Sequence, residues 1–165
     1  MNNDSEVMNK KDPLIKIDFI SHGTLMAKNL VETRRFYEEV LGFEVAHLSP
    51  MAMWVRCNGK HVYVVVETGK EQEMSQLNHN GLDVSSNEAV DQAHGIILSI
   101  KENYGIKRIK KPNHQHGVYS FYFQDLDGNW WEIVSNPSGG YSSMFDEMIQ
   151  DRAFMRENED RFQKD

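Results

Sequence analysis

Apolar and polar positions fall into two successions of the same kind along the chain. From Leu14 to Ile20 the run Leu-Ile-Lys-Ile-Asp-Phe-Ile is rich in branched and aromatic side chains, which predicts a strand continuing through Ser21, His22 and Gly23. A helix is predicted over 31–41, where Phe36, Val40 and Leu41 share one face and Gly42 supplies a left-handed stop. Short strands follow at 43–47, 52–57 and 61–67. Asn58-Gly59 marks the hairpin between the last two, because both central positions of such a turn need positive φ.

The second half repeats the order. A strand is predicted over 77–84 and a helix over 88–104, whose Val90, Ala93, Ile97, Ile100 and Tyr104 form a stripe ending at Gly105. Strands follow at 106–110, 119–124 and 130–134, the last two joined through Asp125-Leu-Asp-Gly128. The fold class is therefore α+β, two βαβββ modules (14–70 and 76–138) that bury their open faces against each other. Residues 1–13 read as a disordered polar tail. Residues 139–165, with Met144, Phe145, Met148 and Ile149, read as a C-terminal helical extension.

Composition narrows the function. A chain of 165 residues builds an ordinary core without staples, and its one cysteine forms no internal disulfide and no thiolate zinc cluster. The excess of 25 acidic over 18 basic residues argues against a nucleic-acid surface. No apolar run reaches bilayer length and no signal peptide is evident, so a cytoplasmic protein without a membrane partner is expected. Any metal must rest on carboxylates and on the seven histidines.

His22 near the first strand's end and His79 in the equivalent strand of the second module occupy matching positions, and Glu132 stands in the apolar strand Trp130-Trp-Glu-Ile-Val134. Two histidines and a carboxylate converging in this way form a facial triad for a divalent ion. Taken singly, each histidine has a plainer reading as a hydrogen-bonded strand residue. Glu132 is costly to bury unless paired or metal-bound. His47, His61 and His94 are read as bystanders.

The stretches Ser21-His-Gly-Thr-Leu25, Glu32-Thr-Arg-Arg-Phe-Tyr-Glu-Glu-Val-Leu-Gly-Phe-Glu-Val45, Asn78-His-Asn-Gly-Leu82 and Ser120-Phe-Tyr-Phe-Gln-Asp-Leu-Asp-Gly-Asn-Trp-Trp-Glu-Ile133 resemble the vicinal oxygen chelate superfamily, the group of glyoxalases, bleomycin resistance proteins and type I extradiol dioxygenases. The resemblance covers about residues 15–138. It implies that His22, His79 and Glu132 hold the metal.

Several reactions share this fold, so flanking residues decide. Glyoxalases would need a fourth ligand, for which Glu67 stands available. Fosfomycin-modifying transferases are similar in the threonine two residues after the first histidine, here Thr24, but lack a counterpart here for the arginine after the last ligand. Type I extradiol dioxygenases resemble the chain in Tyr122, ten residues before Glu132, and in a histidine upstream of it, for which His114 and His116 stand in a glycine-containing loop. The expectation is an Fe(II) ring-cleaving dioxygenase acting with O2 on a catechol-like aromatic diol. In it His114 or His116 shuttles the proton and Tyr122 orients substrate. Mn, Ni or Zn would serve the glyoxalase-like or transferase-like alternatives, and a metal-free drug-binding protein is the reading from another class. A single pair of modules suggests a homodimer, with the tail over the site or interface. Met51, Met53, Trp54 and Tyr63 are expected among the pocket walls.

Overall fold

The computed structural model describes residues 13–59 and 61–150. Residues 20–136 form one compact unit; the described parts of 13–19 and 137–150 belong to another. The second contains α3 (Gly140–Gln150), which agrees with the expected C-terminal helix, and exposes Tyr141, Phe145 and Met148. Of the tail expected over 1–13 only Pro13 is described, and the extension beyond 150 lies outside the described residues. Among the described residues no helix is long and apolar enough to cross a membrane.

The larger unit holds two four-stranded sheets. The first runs β1-β4-β3-β2, from β1 (His22–Ala27), β2 (Glu44–Ser49), β3 (Ala52–Arg56) and β4 (Val62–Glu67). The second runs β5-β8-β7-β6, from β5 (His79–Asp83), β6 (Asn113–Gln115), β7 (Val118–Gln124) and β8 (Trp130–Ser135). In both, the first strand pairs in parallel with the last, so that among the described residues β1 and β5 are outer strands with a free edge. Helix α1 (Leu30–Glu39) packs on β2 and β4 and α2 (Asn87–Ile100) on β7 and β8. The Asn29 side chain caps α1 by accepting from the amides of Val31 and Glu32, and Ser86 caps α2 through Ala89. The repeated βαβββ order is as the sequence indicated.

Two strands lie elsewhere than expected. Leu14 to Ile20 is exposed chain and β1 begins at His22, because the six residues of β4 pair with His22 to Ala27. The strand expected over 106–110 is reduced to an isolated bridge between Lys107 and Gln124, with Arg108 at φ 37°, and the laddered strand is β6. The expected loop around His114 is thus the edge of a sheet.

One core joins the modules. Leu25, Ala27, Met53, Val55 and Val65 of the first sheet meet Phe121, Phe123, Trp131 and Ile133 of the second, with Phe36 and Tyr37 of α1 among them. Tyr37 stands edge-on to Trp131 at 5.8 Å between centroids and Phe36 to Phe123 at 6.4 Å.

The loop between β7 and β8 pins this junction. Asp125 Oδ1 accepts from the amides of Asp127 and Asn129 (both 2.9 Å), while Oδ2 accepts from Trp131 Nε1 (2.9 Å) and the Tyr37 hydroxyl (3.3 Å). Asp127 reaches into the other module, accepting from the Lys28 amide (2.7 Å) and the Thr33 hydroxyl (2.6 Å). Gly128 has φ 95°, and a Cβ there would lie 2.1 Å from the Gln72 carbonyl oxygen, so only glycine fits. Residues 125–129 make a five-residue connection, and the resulting register sets Tyr122 opposite Glu132.

Candidate metal centre

Strand alternation decides which face each site residue takes. On β8, Trp131 and Ile133 enter the core, so Glu132 points to the outer face of its sheet; on β7, Phe121 and Phe123 place Tyr122 on that same face. His79 joins them from β5. Its ring lies edge-on to Tyr122 with centroids 4.9 Å apart, and its Nε2 is 3.4 Å from Glu132 Oε2. Gly81 is the β5 residue opposite Glu132, so the residue directly across presents no side chain to the carboxylate.

The donor set fits a divalent cation. His79 Nδ1 lies 2.8 Å from the carbonyl oxygen of Gln76. A carbonyl only accepts, so Nδ1 carries the proton, and in the neutral ring Nε2 presents a lone pair. That lone pair faces an oxygen of a carboxylate that is only 4% exposed. Two acceptors facing each other, the carboxylate buried and the imidazole half-buried, are stabilised by a positive charge between them, a proton or a metal ion. A ligand histidine anchored through its other nitrogen to a backbone carbonyl is a recurrent arrangement around metals. The Gln76 carbonyl has no signature in sequence and was not foreseen.

His22 does not join this pair within the chain. Leu25 and Ala27 of β1 point into the core, so His22 and Thr24 lie on the outer face of the first sheet. The core separates the two outer faces, and they turn away from one another. His22 is exposed and its Nδ1 lies 2.7 Å from the Ser21 hydroxyl. Among the described residues no group of three or more His, Cys, Asp and Glu side chains is gathered for a metal.

The remaining sequence candidates also stand apart. His114 is paired with Tyr119, on the helix side of β6, its ring 4.7 Å from that tyrosine. His116 occupies the turn between β6 and β7 at φ 51°, six residues from Tyr122 and so roughly 20 Å along the strand. Glu67 Oε2 accepts from the Leu30 amide (2.8 Å) and so serves the start of α1. Of the three bystanders, His47 meets Arg34, His61 meets Tyr63 and His94 meets Phe121.

The family model described as Glyoxalase/Bleomycin resistance protein/Dioxygenase superfamily matches residues 19–133. No match is found among curated protein sequences. Among solved structures, the chain is similar to the fosfomycin resistance protein FosX from Listeria monocytogenes, at 24% identity and TM-score 0.61 over 74% of this chain and 97% of that one. It is similar to lactoylglutathione lyase from Agrobacterium tumefaciens, at 18% identity and TM-score 0.54 over 76% and 96%. FosX from Mesorhizobium loti gives 18% identity and TM-score 0.56 over 74% and 96%. At these identities the likeness is one of fold. With its two βαβββ modules and the family match spanning both, the chain belongs to the glyoxalase, bleomycin resistance protein and dioxygenase superfamily.

Proposed function

We propose that the protein is a divalent-metal enzyme acting on a small substrate that offers two neighbouring oxygens, and that its metal centre is shared between two copies of the chain. His79 and Glu132 come from one copy and His22 from the other. The observation that carries this reading is the pair of facing acceptors, His79 Nε2 and Glu132 Oε2, at 3.4 Å. The third ligand is assigned to a second copy because His22 lies on the sheet face turned away from the pair. The free edges of β1 and β5 give a twofold dimer a way to place one copy's His22 beside the other's His79, making two equal sites.

A metal ion bound there supplies Lewis-acid polarisation of the chelated oxygens. The chain's own groups do the rest. The Gln76 carbonyl fixes the His79 tautomer. The buried Glu132 supplies the negative charge. Tyr122, packed against the His79 ring, offers a hydroxyl donor to a substrate oxygen. Manganese, nickel, zinc and Fe(II) all accept such nitrogen and oxygen ligands.

Among the reactions of the superfamily, the lyase and transferase readings are the ones the site's residues support. The ring-cleaving reading would use His114 or His116 as the acid/base, and within one chain His114 lies on the helix side of β6 and His116 in the turn before β7, neither beside the His79 and Glu132 pair. A structure of the Listeria FosX protein is complexed with Mn(II) and a dihydroxypropylphosphonic acid, which supports a metal-chelated vicinal diol or its precursor as the kind of substrate to try. The test is calorimetric titration of the metal-free protein with Mn(II), Ni(II), Zn(II) and Fe(II), followed by binding of vicinal diols and hydroxyketones. Expected is saturable binding near one ion per chain, with the oxygen ligands bound more tightly to the loaded protein. No saturable binding of any of the four ions would overturn the proposal.

A further inference from the structure

The outer face of the first sheet carries more than His22. Its residues form two transverse rows. One holds His22 opposite Val62 on β4 and, by continuation of the β3 to β4 register, Arg56, which pairs with Glu44. The next holds Thr24, Val64, Trp54 and Ala46. A groove of about 380 Å³ lies over the β2, β3 and β4 part of these rows, lined by Glu44, Ala46, Trp54, Arg56 and Val62 among others, with His22 beyond its β4 side.

Two side chains there are unusual. Trp54 is 46% exposed, while Trp130 and Trp131 are 3% and 0% exposed. A large aromatic ring on a strand, flanked by Ala46 and Val64, is a flat apolar platform left uncovered. Arg56 donates through Nε to Glu44 Oε2 at 2.6 Å. That bond holds one edge of the guanidinium and, among the described residues, gives neither Nη group a partner, the end of the fork that binds an oxyanion. Arg56 stands two strands from His22, about 10 Å away, a span that one aromatic ring and its substituents bridge.

We propose that this groove is the substrate-side wall of the metal centre and that it selects an aromatic ring carrying a carboxylate, sulfonate or phosphonate. The ring lies on Trp54 and the anion is held by the Nη groups of Arg56. This rests on the reading that the face bearing His22 adjoins the metal. Trp54 stands among the residues expected to wall a pocket, whereas Met53 is buried in the core and Tyr63 bonds Asn80.

Calorimetry with naphthoate and its neutral amide, naphthamide, tests the groove in the metal-free protein. Naphthoate is expected to bind about 10-fold more tightly than naphthamide, Arg56→Gln to abolish that preference, and Trp54→Ala to weaken both. Equal affinity for the two probes, or a preference that survives Arg56→Gln, would overturn the proposal. Metal titration of the same proteins is a separate readout: both variants are expected to bind the ion as the parent does. A parent protein that binds naphthoate through Arg56 yet takes no metal would overturn the metal reading while leaving the groove as an anion-selective site.

Discussion

Replacing Glu132 by glutamine is expected to lower divalent-metal affinity at least about 100-fold and, at the same time, to raise the melting temperature of the metal-free protein. The first figure is a lower bound, since losing a group that only supports a metal ligand already costs about 10- to 100-fold. The second effect has the opposite sign for a physical reason. The Glu132 carboxylate is almost completely buried, and its near neighbour His79 presents a lone pair, so the charge is poorly compensated until a cation arrives. A neutral amide of the same shape removes the cost of burying that charge and can turn its N–H toward the His79 lone pair. Calorimetric titration and thermal unfolding of the same two preparations give both quantities. A variant that binds metal normally and melts lower would make Glu132 a structural residue.

The second large effect concerns Asp125. Removing its side chain with Asp125→Ala leaves Tyr37, Trp131, the Asn129 side chain and two backbone amides without their common acceptor. Stranding buried polar groups of this kind costs about 3–5 kcal/mol. Burial, and then the neighbouring Asp127, push Asp125 up to about 6 from an ordinary value of 3.8. The folded state therefore holds that proton more tightly than the unfolded chain. The stability this confers is fully present below about pH 4 and is lost as the pH rises through about 6, a change on the order of 3 kcal/mol. Asp127 is also pushed up, mainly by burial, but it is present in both proteins. The penalty for Asp125→Ala should accordingly be largest in acid and shrink towards neutrality, as read from urea unfolding between about pH 4 and about pH 7. A penalty that grows with pH would mean that the five donors outweigh burial and hold Asp125 ionised.

The sequence carried the plan of the fold better than its edges. Helix stripes ending at Gly42 and Gly105, and the Asn58-Gly59 turn, are local signals, and they marked both βαβββ modules. The register of Tyr122 on Glu132 turns on the five-residue connection 125–129, since a loop one residue shorter would put the two on opposite faces. Leu14 to Ile20 misled because branched residues read as a strand whether or not a partner strand exists. Asn113 to Gln115 was missed for the opposite reason. Its polar residues lack strand propensity and are tolerated at a sheet edge. His79 and Glu132 could be named together because one stands in the first strand of the second module and the other in its last, strands that pair in parallel in the structure. The direction of His22 could not, since alternation says that residues share a face but not which face the helices and the other module occupy. Asp125 and Asp127 were visible as part of a motif, yet their role as buried acceptors depends on Tyr37, Thr33 and Lys28, about 90 to 100 positions away in sequence.

Sharing of the centre between two copies is tested most directly by combining two defective chains. His22→Ala and Glu132→Ala chains, co-expressed with different tags, are purified as the mixed dimer and analysed for bound metal. Either variant alone should carry none. In the mixed dimer, intact His22 of one chain meets intact His79 and Glu132 of the other, so about one ion per dimer is expected, against about two in the parent. A mixed dimer that binds no metal would contradict a centre built from two copies.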